Sequence, residues 1–257
     1  MSCIKPLAIP GDTVYVYDGS FHGFLCCVYE SVYSGVSPID IVASDDDPIT
    51  LYAIREVKTD AEKAQRVMTS IPRKISREAQ ILIETVFLSC LEQKELLILN
   101  FLLRAYREGS RLLARLGDPD VAPLLKAQRH LLGEAHLLKG FIRFADYDGS
   151  FAGTITPKNF VLPFIANHFT QRFSDENFLI FDKTHGAALV YQDRRCEIIS
   201  VDNIEFPPVS EDESRYQAMW KRFYNTVSIK ARENPRCRMT LMPKRYWENM
   251  LEMQGLD

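Results

Sequence analysis

The feature that most constrains the fold is a change in the spacing of apolar residues near residue 140. Between residues 60 and 140 they recur three and four positions apart, which is typical of helices. Beyond that point they form short runs between turn residues, which is typical of strands. Asp148-Gly149 favours a hairpin, and the short connections between three later runs predict an antiparallel β-meander over residues 178–181, 187–191 and 196–201. Strands and helices without regular alternation indicate an α+β fold with a helical layer.

The N-terminal part predicts a strand-helix unit. Residues 13–17 are typical of a strand, Asp18-Gly19 supplies a turn, and Ser20 is a suitable N-cap for a helix over residues 21–33. A second strand is predicted within residues 49–57, where it can pair with the first beside the helix.

The C-terminal part predicts a separate helical segment. Pro207-Pro208 and the acidic residues 211–213 are typical of a linker, and a helix is expected over residues 214–233. We therefore expect an α+β body over residues 1–206, with a helical middle third and a β-rich part at 141–201. A basic, aromatic helical segment over residues 207–257 is expected to pack on that body.

Composition narrows the classes of partner. The net charge of −3 leaves no overall polycation, so an anionic partner requires a local patch. The six cysteines lack metal-site spacing, and no signal peptide or uninterrupted apolar span is present. We therefore expect a cytoplasmic protein that binds no membrane, no metal ion and no cofactor.

Such a patch lies near the C-terminus. Between residues 215 and 245 there are nine basic residues and one acidic residue, a net charge of +8. In the predicted helix, an aromatic face with Tyr216, Trp220 and Phe223 is expected to pack on the body and leave the basic face outside to contact phosphates. The alternative is a solvated face paired with the acidic residues 211–213. The nucleic-acid-binding candidates are Arg215, Lys221, Arg222, Lys230, Arg232, Arg236, Arg238, Lys244 and Arg245, with Tyr246 and Trp247 available to stack on bases.

Two further groups are weaker, catalytic candidates. Asp18 and His22 flank a helix start that can bind an anion, although a turn and a helix cap also account for these residues. Arg143, His168 and Asp182 lie in apolar surroundings, where they can line a pocket or form a structural ion-pair network; Arg143 and Asp182 are a possible buried pair. No complete nucleophile or metal motif accompanies them.

Several separated segments resemble one bacterial family, labelled as DNA metabolism or DNA repair proteins. The resemblance covers nearly the whole chain, and the C-terminal segments are the most distinctive. The segments are Tyr17-Asp-Gly-Ser-Phe-His-Gly23, Gly140-Phe-Ile-Arg-Phe144, His168-Phe-Thr-Gln-Arg-Phe173, Trp220-Lys-Arg-Phe-Tyr224, Ile229-Lys-Ala-Arg-Glu-Asn-Pro235 and Met242-Pro-Lys-Arg-Tyr-Trp247.

The resemblance implies a role in DNA repair or DNA metabolism. That family carries a domain of unknown function, which is also found fused to uracil-DNA glycosylase-like domains and is often encoded beside a radical-SAM protein. The glycosylase motifs themselves are missing from this sequence. Three hypotheses follow: a DNA-binding accessory protein that works with a radical-SAM partner, an enzyme acting on nucleic acid, and a protein-interaction scaffold.

Overall fold

The chain divides into two compact units, residues 1–130 and residues 131–257. The computed structural model describes residues 9–44, 50–229 and 234–254. The division falls within the body predicted for residues 1–206, and Tyr246, Met250 and Met253 of the C-terminal segment are buried in the hydrophobic core of the second unit. The predicted α+β class is confirmed.

The first unit contains a parallel sheet that carries a buried helix. Strand β2 (Thr13–Tyr17) pairs in parallel with both β4 (Asp40–Ala43) and β5 (Ala53–Glu56). Helix α1 (Phe21–Ser34) connects β2 to β4, and residues 24–28 of that helix are fully buried. The predicted pairing of the two N-terminal strands is correct, whereas β4 was not predicted. Because parallel strands end at the same edge of a sheet, the residues after β2 and β5 come together there.

Helices form the rest of the first unit. Their apolar faces share one core with α1, in which Phe24, Ile71, Ile83, Leu99 and Phe101 are buried. Gly109, with a φ of 67°, ends the long fourth helix. The remaining elements are β1 (Ile9–Pro10), β3 (Val36–Ser37), α2 (Ala61–Lys74), α3 (Arg77–Phe87), α4 (Lys94–Glu108), a 3-10 turn at Gly109–Leu112, and α5 (Ala122–Phe141), which contains the boundary between the units.

A mixed sheet organises the second unit. Its elements are β6 (Phe144–Tyr147), β7 (Ser150–Ile155), α6 (Leu162–Arg172), β8 (Asn177–Asp182), β9 (Ala187–Gln192) and β10 (Arg195–Ser200). The strands lie in the order β10-β9-β8-β7-β6, and the β6–β7 hairpin turns at Asp148 and Gly149, which have φ values of 51° and 85°. The predicted meander of β8, β9 and β10 is antiparallel, but β7 and β8 are parallel because α6 crosses between them.

The C-terminal segment begins with helix α7 (Glu211–Val227). The Ser210 hydroxyl accepts a hydrogen bond from the Glu213 amide, so the acidic residues 211–213 form the first helical turn and not a linker. Carboxylates are favourable at this end because they face the positive end of the helix dipole. Helix α8 (Pro235–Leu241) and 3-10 turns at Lys244–Asn249 and Leu251–Met253 follow.

Across the described residues, every helix is too short or too polar to span a membrane.

Candidate nucleic-acid interface

Helix α7 exposes apolar side chains that were predicted to be buried. Tyr216 is 67% exposed and Phe223 is 56% exposed, and Met219 and Val227 on the same helix are also exposed. The prediction that this face packs on the body is therefore wrong. The core of the second unit is occupied by Tyr246, Met250 and Met253, which follow α7 in the sequence, and Tyr224 on α7 packs against it from a partly buried position.

Trp220 and Tyr224 both connect α7 to the remainder of the second unit, Tyr224 by packing against its core and Trp220 through polar contacts. The Trp220 indole Nε1 donates to Glu252 Oε2 at 3.1 Å, and the Arg143 guanidinium lies 5.6 Å from the centroid of the Trp220 ring. Arg143 also donates from Nε and Nη2 to the buried Glu252 carboxylate. The predicted pair between Arg143 and Asp182 is therefore wrong, because Arg143 forms its ion pair with Glu252.

Most of the described basic residues in this segment remain available to solvent. Arg215, Arg222, Arg236 and Lys244 are exposed, and Lys221 and Arg238 are partly buried. Lys230 and Arg232 lie outside the described residues.

Few carboxylates neutralise these cations. Arg215 lies 3.4 Å from Asp212, with both side chains well exposed, and such pairs contribute little stability. Lys221 donates to Gln254 Oε1 at 3.2 Å, and the Lys244 ammonium lies 5.5 Å from the centre of the Trp247 ring. Within the described residues, pairing with the acidic helix start therefore accounts for Arg215 alone.

Two predicted contact residues point inward instead. The Arg245 guanidinium donates to Glu134 Oε1 at 2.7 Å, and the Tyr246 hydroxyl donates to the same oxygen at 2.8 Å. Tyr246 is only 2% exposed, so a base cannot stack on it. Trp247 is half-buried against the core, and its indole donates to the Met242 carbonyl.

Glu134 is a central structural residue that the sequence interpretation missed. Its carboxylate also accepts from the backbone amides of Lys158 and Asn159 and from the Asn159 side chain, which lies 2.6 Å away. A detectable signal existed: Glu134 lies on the apolar face of α5, between the buried Leu131 and Leu138. A carboxylate in such a stripe requires buried donors.

The electrostatic cost of burying Glu134 is offset by these donors. Burial alone would raise its pKa, but the amides of Asn159 and Lys158, the Asn159 side chain and the Tyr246 hydroxyl hold the pKa below its ordinary value of 4.5. A carboxylate whose pKa is lowered by folding stabilises the fold above its unfolded pKa. That contribution is lost as the pH falls through the folded value.

A pH-dependent stability difference should follow. We expect wild type to exceed the Glu134→Gln variant in unfolding free energy by a constant amount at neutral pH, and the difference to shrink as the pH falls below 4.5. Urea unfolding followed by tryptophan fluorescence measures it, since Trp220 and Trp247 both lie in the second unit. A difference that stays constant down to about pH 3 would contradict this expectation.

The Asp18 turn is a compact structural feature at the sheet edge. Asp18 Oδ1 accepts from the Ser20 amide and hydroxyl, and Oδ2 accepts from the Thr59 hydroxyl at 2.6 Å. The hydrogen bond from Thr59 is the largest of the effects that lower the Asp18 pKa. The ionised carboxylate repels an anion at this helix start, which disfavours the anion-site interpretation, and His22 is exposed without a hydrogen bond to Asp18.

The other catalytic candidates belong to separate surroundings. Asp182 is fully buried and accepts from the amides of Thr184 and His185, and its Oδ2 lies 2.7 Å from His185 Nδ1. His168 lies on α6, where burial, Lys139 and Arg172 lower its pKa. Since Arg143 pairs with Glu252, the geometry does not bring the three predicted residues into one hydrogen-bonding network.

The described residues also hold no group of three or more histidine, cysteine or acidic side chains arranged to bind a metal ion. Comparison with known families matches residues 92–252, well over half of the chain, to a domain of unknown function, DUF4130. No curated protein and no solved structure matches the chain.

Proposed function

We propose that this chain, a member of the DUF4130 family, binds single-stranded nucleic acid through helix α7 and the basic residues around it. In this proposal it serves as an accessory protein in DNA repair or DNA metabolism. The observation that carries the proposal is the exposure of Tyr216 and Phe223 on the same helix as the exposed Arg215 and Arg222.

Aromatic and cationic side chains together suit an unpaired strand. An exposed ring stacks on a base, a contact that contributes about 1–3 kcal/mol per base, and the neighbouring cations contact phosphates. Bases in a duplex are already stacked on their neighbours, so the exposed rings contribute less to the binding of a duplex. The described basic residues that remain exposed, Arg215, Arg222, Arg236 and Lys244, support the same partner, because each neutralised phosphate releases counterions.

The first test is charge reversal at three exposed positions. The variant Arg215→Glu, Arg222→Glu and Arg236→Glu should lose most of its affinity for a single-stranded oligonucleotide. The plot of log affinity against log salt concentration should become less steep, with the magnitude of its slope smaller by about 2, at roughly 0.7 per lost phosphate contact. Fluorescence anisotropy at several salt concentrations measures both quantities.

A matched control makes the same change of charge at three arginines outside this surface. Arg172, Arg194 and Arg195 are exposed elsewhere in the second unit, so the Arg172→Glu, Arg194→Glu and Arg195→Glu variant should bind almost as wild type. Replacing Tyr216 and Phe223 by alanine should weaken single-strand binding more than duplex binding. Equal binding by wild type and a folded charge-reversal variant would refute this surface.

The exposed aliphatic residues favour a second candidate, a protein-binding scaffold. Met219, Val227 and Ile229 are all more than half exposed, and exposed apolar patches often mark protein interfaces. The family resemblance gives a radical-SAM protein as the candidate partner. Sedimentation of the radical-SAM protein mixed with wild type or with a Met219→Ser, Val227→Ser variant of this chain tests this candidate. A complex that the variant forms as well as wild type would show that these residues are not the interface.

A further inference from the structure

A cleft in the first unit combines cations and aromatic rings away from helix α7. A cavity of about 460 Å³ lies among α1, α2 and α4 and is bordered by Tyr29, Tyr33, Arg66, Lys74 and Tyr106. A second cavity, of about 820 Å³, is an open groove lined by residues of α2 alone, and it shares Arg66 and Lys74 with the first. A volume of several hundred Å³ is the usual size of a small-molecule site.

Arg66 is held in place by two tyrosine rings. Its guanidinium lies 5.5 Å from the centroid of the Tyr29 ring and 5.7 Å from that of Tyr33, and these rings stack with centroids 4.1 Å apart. Arg66 Nη2 donates to the Tyr33 hydroxyl at 2.7 Å. The guanidinium has further N–H donors, so an anion can bind to an arginine that is already oriented.

The positive charge of the cleft is not cancelled by its surroundings. Within the described residues, ion pairs connect Glu30 to Lys63 and Arg55, and they leave Arg66, Arg73 and Lys74 without a carboxylate in salt-bridge contact. Glu62 lies at the rim of the second cavity as the acidic residue of its lining. The cleft therefore favours an anion.

We propose that this cleft binds a nucleotide, with its phosphates on Arg66, Arg73 and Lys74 and its base stacked on the exposed ring of Tyr33. Planar rings stack on aromatic side chains, and phosphates bind arginine and lysine. The Ser70 and Tyr106 hydroxyls, 2.7 Å apart in the same cleft, supply further polar contacts. The nucleotide is either free or part of a strand, and this site does not depend on helix α7.

Calorimetric titration of the full chain separates recognition of the ring from recognition of the charge. ATP, adenosine and inorganic triphosphate are the probes. We expect ATP to bind, and adenosine and triphosphate each to bind at least about tenfold more weakly, since each lacks one set of contacts. Triphosphate that binds as tightly as ATP would overturn the nucleotide assignment.

Variants then locate the site. Arg73→Glu with Lys74→Glu should weaken ATP binding at least about tenfold, whereas Lys126→Glu with Arg129→Glu, an equal change at exposed positions of α5, should leave it unchanged. Tyr33→Phe should keep most of the affinity and Tyr33→Ala should lose it. Thermal unfolding checks that each variant is folded; a folded Arg73→Glu, Lys74→Glu variant that binds ATP normally would exclude the cleft.

A strand is tested as the other source of the nucleotide. A short oligothymidylate is titrated into the Arg215→Glu, Arg222→Glu, Arg236→Glu variant, which removes the contribution of α7. Binding that the cleft variants abolish would assign the site to a nucleotide within a strand. Failure of both ATP and the oligonucleotide to bind this variant would overturn the cleft proposal, while binding by wild type would still support α7.

Discussion

Replacing Glu134 by alanine should lower the unfolding free energy of the second unit by about 3–5 kcal/mol, the usual loss when one partner of a buried ion pair is removed. The carboxylate is almost fully buried and is bonded to Arg245, Tyr246 and the amides of Lys158 and Asn159. Alanine leaves all of these donors without their acceptor.

Two other variants serve as controls for the size of this loss. Glu134→Gln keeps the shape and one acceptor oxygen but removes the charge, so its loss should be smaller, about 1–3 kcal/mol. Glu248→Ala removes an exposed carboxylate that lies 3.6 Å from Lys183, and it should change stability by less than about 0.5 kcal/mol. Urea unfolding followed by tryptophan fluorescence compares them. A Glu134→Ala loss no greater than that of Glu248→Ala would mean that the network is not structural.

Local patterns predicted much of the secondary structure. Strand β2 has its predicted bounds, and Ser20 caps α1 as expected, with its hydroxyl accepting from the Gly23 amide. The Asp148-Gly149 hairpin and the β8–β10 meander also match their predictions. These features depend on neighbours in sequence, which turn and cap preferences describe well.

Predictions that depended on distant contacts were less successful. Thr156-Pro157 is a pattern typical of a helix start, but α6 begins at Leu162, and the intervening amides of Lys158 and Asn159 bond to Glu134. An acceptor 24 residues away in sequence cannot be seen in a local pattern. The parallel pairing of β7 with β8 likewise depends on how α6 crosses the sheet.

The candidate interface shows the same limitation at the level of side chains. The basic segment was identified from charge alone, but charge does not distinguish the exposed Arg222 from Arg245, which is bonded to a buried carboxylate. Hydrophobicity likewise does not distinguish Tyr246, which is buried, from Tyr216, which is exposed. A helix with an apolar face is buried only if space remains in the core, and in this unit residues C-terminal to α7 occupy it.

Gly23→Ala should be the most damaging small substitution in the first unit, with an expected loss of about 2–4 kcal/mol. A methyl group at this position would overlap Asp18 Oδ1 and come within 2.8 Å of Thr59 Oγ1. Overpacking of a buried site costs about 1–3 kcal/mol, and disturbing the Ser20 cap adds about 1 kcal/mol. Helix α1 is central to this core, so the effect should extend beyond the turn.

Gly117→Ala is the matched control, because a methyl group there meets no atom within 4 Å and the backbone φ is not positive. That variant should be neutral or stabilised by up to about 1 kcal/mol, since alanine restricts the unfolded chain. Hydrogen exchange of peptides covering α1, measured at increasing urea concentration, reports the stability of this unit directly. Amides of α1 that exchange as slowly in Gly23→Ala as in Gly117→Ala would show that the Asp18 and Thr59 side chains move aside at little cost. The close approach of helix to sheet would then not be required for stability.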